Sequence, residues 1–599
     1  MIARSQILMR EYAENANKQE DVADAAKRAK SVVSQRDIQR VFQLQDFFFR
    51  HFIYRQAMKE AERISASVDI ESRASTVLAK AYQMGALRSD AEDICTDLFK
   101  RYGSNKIPAD FVLSNRGNQD LTHEGGESKA QHGDGEDADS VFRRSTLLAL
   151  GLVYYSRLGS KEREHYTTTL HQREGRNQRI RFEDVWNKEL DLYIKQAYIP
   201  RGVAKNMALR ENFFAVVVCT INRIPLSIIG PPGVSKTLSF NLAIDNLKGQ
   251  RSRSTFFQCT RFFPELQRFH YQCSRRSSSL DIERVLQRAV SNQASIDKIG
   301  SPFLSVVFMD EAGLPDDDRA PLKVLHPYLD SPSIGFVAIS NEPLDAAKTN
   351  RMISLKRDRA SAEDLRAIAV GTLCTTKEEE ILYRAEVERL EALVQSYRSM
   401  QSDEARLDKE TYEDLRHQHG DEDAMTALYN HHLSSQFSAL FGQRDFVHLV
   451  RYVVRKLKNN GGAQNVDDST IIQGLERNFG GMPPAQFQLI VQHFLNSNDG
   501  SAPLLEYRNV VDVLRHSILD SETIRKEVDN ARDSQRASSL NESVIRFKLI
   551  IDDSEDESIS RLLFSNGILD EESTRVLRFS SFSEESENEN LEIISEVKV

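Results

Sequence analysis

The feature that most constrains this chain is a junction. The short run Leu226–Ile229 passes directly into Gly230, Pro231, Pro232, Gly233, Val234, Ser235, Lys236 and Thr237, and helix-forming text follows from Leu238 to Asn246. An apolar run of that length, preceded by Pro225 and ended by glycine, reads as a buried strand. A strand, a glycine-rich loop and a helix in that order aim successive backbone N–H groups and a helix N-terminus at one point, which suits a polyphosphate. Gly230, Gly233, Lys236 and Thr237 fill their places in the phosphate-loop pattern, with the lysine directed at the β and γ oxygens of ATP and the hydroxyl at Mg2+. Ser235 stands where a glycine usually precedes the lysine. Its N–H can still donate to phosphate, but its Cβ restricts a backbone that glycine leaves free.

A phosphate loop needs companions, and the sequence supplies them in order. "FLSVVFMDE" is an apolar run ending in Asp310 and Glu311. Asp310 is expected to support the metal from the end of a strand neighbouring the loop strand, and Glu311 to orient and deprotonate the attacking water. "GFVAISN" is a second such run, ending in Asn341, a residue suited to hydrogen-bond the water or the γ-phosphate. Arg351 follows as a candidate arginine finger offered to a neighbouring unit, with Asn350 as a local alternative. Helical and strand-like text alternate through this region, which argues for a parallel α/β sheet.

The bulk properties exclude several classes. A chain of 599 residues is too long for one core and predicts roughly three to five domain-sized units. The net charge of -10 provides no global basic field, so no nucleic-acid partner is expected. The five cysteines lie far apart, with no C-x-x-C pair, which fits free thiols in a reducing compartment rather than zinc ligands. The longest strongly apolar run, Phe213 to Ile221, is far below the roughly 20 residues needed to cross a bilayer. No transmembrane segment is expected, and the reading is cytoplasmic.

Along the chain, composition suggests seven stretches. Residues 1-113 read as helical, with Ile38, Val41, Phe42, Phe48, Phe49 and Phe52 set among charges. Residues 114-142 lose large apolar residues and gain Gly, Asp and Glu, the composition of a flexible acidic linker. A helical connector is expected over 143-200 and the α/β nucleotide-binding domain over 201-357. Within it "RFHYQCS" reads as a strand, and Ser278 with Asp281 as a capping box opening a helix whose apolar face holds Ile282, Val285, Leu286 and Ala289. Helical text over 358-481 includes a charged insertion at about 376-435. A helical connector over 482-545 and a strand-like opening, "FKLIIDDSE", within 546-599 complete the chain.

The set "GPPGVSKT", "VVFMDE", "AISN" and a following arginine resembles an AAA+ ATPase module, a P-loop parallel sheet flanked by helices and followed by a helical lid. More specifically, "ALRENFFAVVVCTINRIPLSIIGPPGVSKTLS", "HYQCS", "DEAGLPDDDRAPLKVLHPYLDS", "GFVAISNEPLDAAKTNRMI", "FGQRDFVHLVRYV" and "LERNFGG" are similar to the mysterin family of giant dynein-like AAA+ RING ubiquitin ligases, from about Gln35 onward. The resemblance implies that Ser235 is typical of one unit of that family. It places Arg444, in "QRDFVHL", at the lid position that reaches the γ-phosphate of its own site; the bland alternative is a helix-capping arginine bridged to Asp445. A similar "SQRDIQRVF", with Arg36 and Asp37, implies that 1-113 is the lid of a preceding AAA+ unit, and that 546-599 is the truncated start of a following one. The implied partners are neighbouring AAA+ units in cis or trans and a protein substrate, and the implied cofactors are ATP and Mg2+. Five scattered cysteines cannot form a two-zinc RING, so ligase activity is attributed to the relatives. Two functions follow: Mg-dependent ATP hydrolysis by a motor unit, or ATP binding without turnover by a structural or regulatory unit. Glu311 favours the first. A GTPase is disfavoured because no N-K-x-D segment follows the second acidic strand.

Overall fold

The computed structural model describes residues 1–9, 34–65, 68–102, 137–171, 180–200, 202–315, 320–374, 376–401, 437, 441–459, 467–479, 483–495, 511 and 558–569. Most of the expected linker, the insertion beyond 401, nearly all of 496–557 and the end beyond 569 lie outside the described residues. The chain divides into two compact units, one comprising Met1–Ile199, Ala204–Gly371 and Leu440–Val447, the other Pro200–Val203, Thr372–Ala439 and His448–Val599.

The first unit is built on a parallel sheet of five strands: β1 (Leu226–Ile229), β2 (Glu265–Gln272), β3 (Phe303–Asp310), β4 (Gly335–Ser340) and β5 (Ile353–Lys356). Their order is β2-β3-β4-β1-β5 and every pairing is parallel. The α/β class expected from the alternation is the one observed. Strand β5 was not legible in the sequence, being four residues of "ISLK" ending on an exposed lysine at the sheet edge. A second difference bears on the site: β3 does not neighbour β1, because β4 lies between them. Chain order alone does not reveal that crossover.

Ahead of α7 and β1 the described residues include, in close packing, α1 (Gln35–Arg63), α2 (Ile70–Gln83), α3 (Arg88–Tyr102), α4 (Ala138–Val153), α5 (Ser160–His171) and α6 (Phe182–Gln196). Helix α4 begins five residues before the expected start at 143 because Asp137 caps it, its side chain accepting the Ser140 N–H at 2.9 Å. Helix α7 (Met207–Ile221) is apolar nearly all round, so it cannot stand at a surface. Every residue from Leu209 to Thr220 except Arg210 is buried. Phe214 of α7 stacks on Phe48 of α1 at 5.9 Å and meets Trp186 and Tyr193 of α6 edge-on at 5.6 and 4.9 Å. These helices therefore share one aromatic core within the unit that holds the sheet.

Both faces of the sheet are covered, as a parallel sheet requires. Phe308 of β3 stacks at 4.0 Å on Phe240 of α8 (Lys236–Asn246). On the opposite face Val307 and Met309 join a core with Ile282, Leu286 and Ala289 of α9 (Ser279–Ile299). The Ser278 cap of α9 is formed, its hydroxyl accepting the Asp281 N–H at 3.2 Å. After β3 come a 3-10 turn, Pro321–Leu325, and α10 (His326–Asp330); α11 (Ala346–Thr349) separates β4 from β5, and α12 (Ala362–Leu373) follows β5.

The second unit holds α13 (Lys377–Leu382), α14 (Arg384–Met400), α16 (Asp468–Phe479), α17 (Pro484–Leu495), α18 (Ser558–Ser565) and most of α15 (Gln443–Asn459). Phe479 packs on Phe437 at 5.2 Å and on Phe494 at 5.9 Å, with Leu390, Val450 and Ile490 buried in the same unit.

Candidate functional site

Strand β1 delivers the chain into the Gly230–Thr237 loop, and α8 leaves it at Lys236. Two positions in the loop explain its glycines. A Cβ on Gly230 would lie 2.6 Å from both the Cβ and the carbonyl oxygen of Arg357, a separation no side chain tolerates. Gly233 has φ +97, and a Cβ there would sit 3.2 Å from the backbone N of Arg444. Ser235 adopts φ 59, ψ 27, the left-handed region. The sequence thus departs from glycine beside the lysine, at a residue whose backbone takes a conformation that glycine adopts most readily.

Lys236 is 8% exposed. Its ammonium donates to the carbonyls of Gly230 at 2.5 Å and Pro231 at 3.0 Å, and to Asn341 Oδ1 at 2.9 Å. Burial pulls the ammonium down to about 8; Glu311 and Asp310 oppose that fall and Arg444 adds to it. Asn341 stands just past β4, the strand between β1 and β3. Its Nδ2 donates to Glu311 Oε2 at 3.1 Å. One amide therefore joins the loop lysine to the acid at the end of β3. Glu311 itself has φ +52, and its N–H is held by Asp310 Oδ1 at 2.9 Å. The next residue, Ala312, donates to Ile339 of β4 at 2.8 Å. Thr237 is exposed at the first turn of α8.

Arg444 is exposed at the start of α15, and Gln443 beside it donates to the Gly233 carbonyl at 3.3 Å. Gly442 N–H donates to Asp445 Oδ2 at 3.1 Å, and at the start of α1 Ser34 N–H donates to Asp37 Oδ2 at 3.0 Å. The two Gln-Arg-Asp segments thus open their helices with the same cap. Arg351 does not join the cluster: its Nε donates to Asp330 at 2.9 Å and its Nη1 to the Ala347 carbonyl. Arg36 pairs with the same Asp330 oxygen at 2.9 Å.

Under the loop lies a buried group of polar side chains that the local motifs do not reveal. Asn212, fully buried, donates to the Val234 carbonyl at 3.0 Å and accepts from Arg357 Nε at 2.6 Å. Glu211 accepts from Arg357, from Arg163 at 3.1 Å and from Trp186 at 3.3 Å. Burial alone would raise the Glu211 carboxyl, but Arg357 and Arg163 hold it at about 2. The signal was present: a Glu-Asn pair inside a largely apolar helix that is buried from Glu211 to Thr220 must find partners.

The residues fit a nucleotide with its metal. The loop is closed to Cβ atoms at Gly230, carries a buried cation at Lys236 and exposes a hydroxyl at Thr237. Mg2+ is usually held by one or two protein oxygens together with phosphate oxygens, so Thr237 and Asp310 are the residues suited to it.

A parallel sheet whose inner strand feeds a glycine loop and helix, with the amide just past the adjoining strand β4 and the acid at the end of β3 one strand further on, is the architecture of an AAA-type nucleotide-binding unit. Residues 202–364 match the family model described as the RNF213 AAA domain. The chain is 32% identical over 259 residues to the mouse E3 ubiquitin-protein ligase RNF213, which covers 40% of this chain and 5% of that protein. It is 34% identical over 258 residues to rnf213-beta of Danio rerio, covering 39% and 5%. A Dictyostelium discoideum protein named as a transmembrane protein is 28% identical over 419 residues, 68% of this chain and 7% of that one. The chain thus resembles the AAA units of mysterin and spans a small fraction of these relatives. Among its described residues no helix is long and apolar enough to cross a membrane.

Proposed function

We propose that this chain binds ATP with Mg2+ and hydrolyses it as an AAA+ motor unit of a mysterin-like ubiquitin ligase or remodelling assembly in the cytoplasm. The observation that carries the reading is the Lys236–Asn341–Glu311 connection. The loop N–H groups and Lys236 bind the phosphates, and Asn341 exchanges the contact its Nδ2 makes with Glu311 for one to water or the γ-phosphate. That exchange releases the Glu311 carboxylate to accept the proton of the attacking water. Thr237 and Asp310 would hold Mg2+, which would supply charge neutralisation at the phosphates. Arg444, beside Gly233, stabilises the γ-phosphate within the same site, and Arg351 acts on an adjoining unit. Ubiquitin transfer, which the relatives' names state, falls to other parts of such an assembly.

The test is ATP binding and steady-state hydrolysis by the full chain beside Lys236→Ala and Glu311→Gln. Lys236→Ala is expected to abolish binding, and Glu311→Gln to keep binding while stopping turnover. Ser235 in the left-handed region favours one second reading, a unit that binds without turnover. Tight binding with no hydrolysis, unchanged by Glu311→Gln and by added flanking units, would establish that reading instead.

A further inference from the structure

The Gly230–Thr237 loop is gripped at both ends by one buried group of side chains. At its start, Arg357 donates its N–H to the Ile229 carbonyl at 2.8 Å and occupies the space a Cβ on Gly230 would need. Toward its end, Asn212 holds the Val234 carbonyl at 3.0 Å. Arg357 Nε and Asn212 Oδ1 meet at 2.6 Å, so the two grips are one object. Glu211, next to Asn212 on α7, fixes the Arg357 guanidinium and also accepts from Arg163 of α5 and Trp186 of α6. Glu211 is 3% and Asn212 0% exposed; their acceptor oxygens are all engaged, while Nη2 of Arg357 and Nη2 of Arg163 are buried without a partner among the described residues.

Because a peptide unit is planar, fixing the Val234 carbonyl fixes the plane that carries the Ser235 N–H. Successive N–H groups in such a loop are what cradle an anion. Ser235 sits in the left-handed region without glycine's freedom, so its conformation depends on that external hold.

We infer that Asn212, Glu211 and Arg357 are positioning residues that shape the loop for phosphate, and that Arg163 and Trp186 carry loop occupancy into the N-terminal helices. The inference rests on the nucleotide reading of the same loop. It makes Asn212 the residue through which the helical block tunes affinity without touching nucleotide. It also makes Trp186, the single tryptophan of the chain, a reporter of the site.

The experiment uses the full chain, with ATP binding followed by equilibrium dialysis and by Trp186 emission. The parent chain should show a saturable emission change with the dialysis Kd, and Lys236→Ala should show none. Asn212→Ala should weaken ATP about tenfold, the scale of one lost buried hydrogen bond. In the nucleotide-free chain it should speed amide hydrogen exchange over 230–237 while leaving α9 unchanged. Leu148→Ala, a core truncation in α4, should lower Tm without changing Kd, which separates positioning from general stability. Equal Kd and equal loop exchange in parent and Asn212→Ala would overturn the clamp. Silent Trp186 emission at saturating ATP would overturn the transmission to the helices. A parent chain that binds no ATP in dialysis defeats the nucleotide reading, and loop exchange in Asn212→Ala then still decides the clamp.

Discussion

Asn341 accepts from Lys236 at 2.9 Å and donates to Glu311 at 3.1 Å, so the loop cation and the acid after β3 share a single amide. The amide holds both groups in register across β4, the strand that separates β1 from β3. Asn341→Ala should therefore leave ATP binding within several-fold of the parent while lowering turnover by roughly 10²-fold, the scale of a lost polar group at a reacting phosphate. Asn341→Asp, which adds an anion beside Glu311, should be no better. The measurement is kcat against Kd; a loss of binding with unchanged kcat would assign Asn341 to the ground state alone.

Lys236 gives a pH signature. Burial lowers its ammonium to about 8 from 10.5 in a free lysine. Between those values the unfolded chain holds the proton and the folded chain does not, so this group makes stability rise with pH from about 8 to 10.5. Below about pH 8 both states are charged and the penalty of burying the charge is fully present. Binding of a polyphosphate reverses the balance by favouring the ammonium. Calorimetry at pH 8.5 in buffers of different ionisation enthalpy should show proton uptake on ATP binding. Uptake of the same size at pH 6, where the lysine is already charged without nucleotide, would assign it to another group.

Ser235 carries a backbone cost that glycine would relieve. A non-glycine residue in the left-handed region costs roughly 1–2 kcal/mol, and glycine returns about 0.5–1 kcal/mol of that through the entropy of the unfolded chain. Ser235→Gly should thus stabilise by about 0–1.5 kcal/mol and keep ATP binding. Ser235→Val, β-branched, should lose stability and binding together. Urea unfolding with parallel Kd measurements checks both, and a Val variant equal to the parent would show that the loop relaxes out of this conformation.

The nucleotide loop and its companions were legible because each joins an apolar run to a polar terminus: Ile229 to Gly230, Met309 to Asp310, Ser340 to Asn341. Such ends are where a buried strand must emerge. Strand β2 was also readable, since its alternation of exposed Arg268, His270 and Gln272 with half-buried neighbours is that of an edge. What escaped depends on contacts distant in sequence. Strand β5 is too short to carry a period, the insertion of β4 between β1 and β3 is a matter of topology, and Glu211 meets Arg163, Trp186 and Arg357 only through the fold. The fate of Arg351 was hidden for the same reason, because Asp330 lies on a separate helix.

Glu211 should dominate acid sensitivity in the first unit. Its carboxyl is fully buried, which alone would raise it, yet Arg357 and Arg163 hold it at about 2 against 4.5 in a free glutamate. A depressed carboxylate contributes stability above the unfolded pKa and loses it as pH falls toward the folded one, here between about 4.5 and 2. The full contribution is on the order of 3 kcal/mol. Thermal unfolding followed by Trp186 should show Tm falling across that window, and Glu211→Gln should be less stable at pH 7 with a flatter acid limb. An identical acid limb in the two chains would move the effect to other carboxylates.

Arg351 offers a separation of own-site from neighbour effects. Its guanidinium is engaged by Asp330 and the Ala347 carbonyl, and Arg36 shares the Asp330 oxygen. None of these contacts involves the loop, Glu311 or Asn341. Arg351→Ala should accordingly leave ATP affinity of the isolated chain within about twofold, because no interaction with the site is removed. If Arg351 serves an adjoining unit, turnover should fall only when flanking units are present, by the roughly 10³-fold or more that a transferred arginine supplies to phosphoryl transfer. Asp330→Asn should loosen both arginines and yield a smaller loss in the same assay. A fall in ATP affinity of the isolated chain with Arg351→Ala would place the residue in its own site, against the geometry of the Asp330 pair.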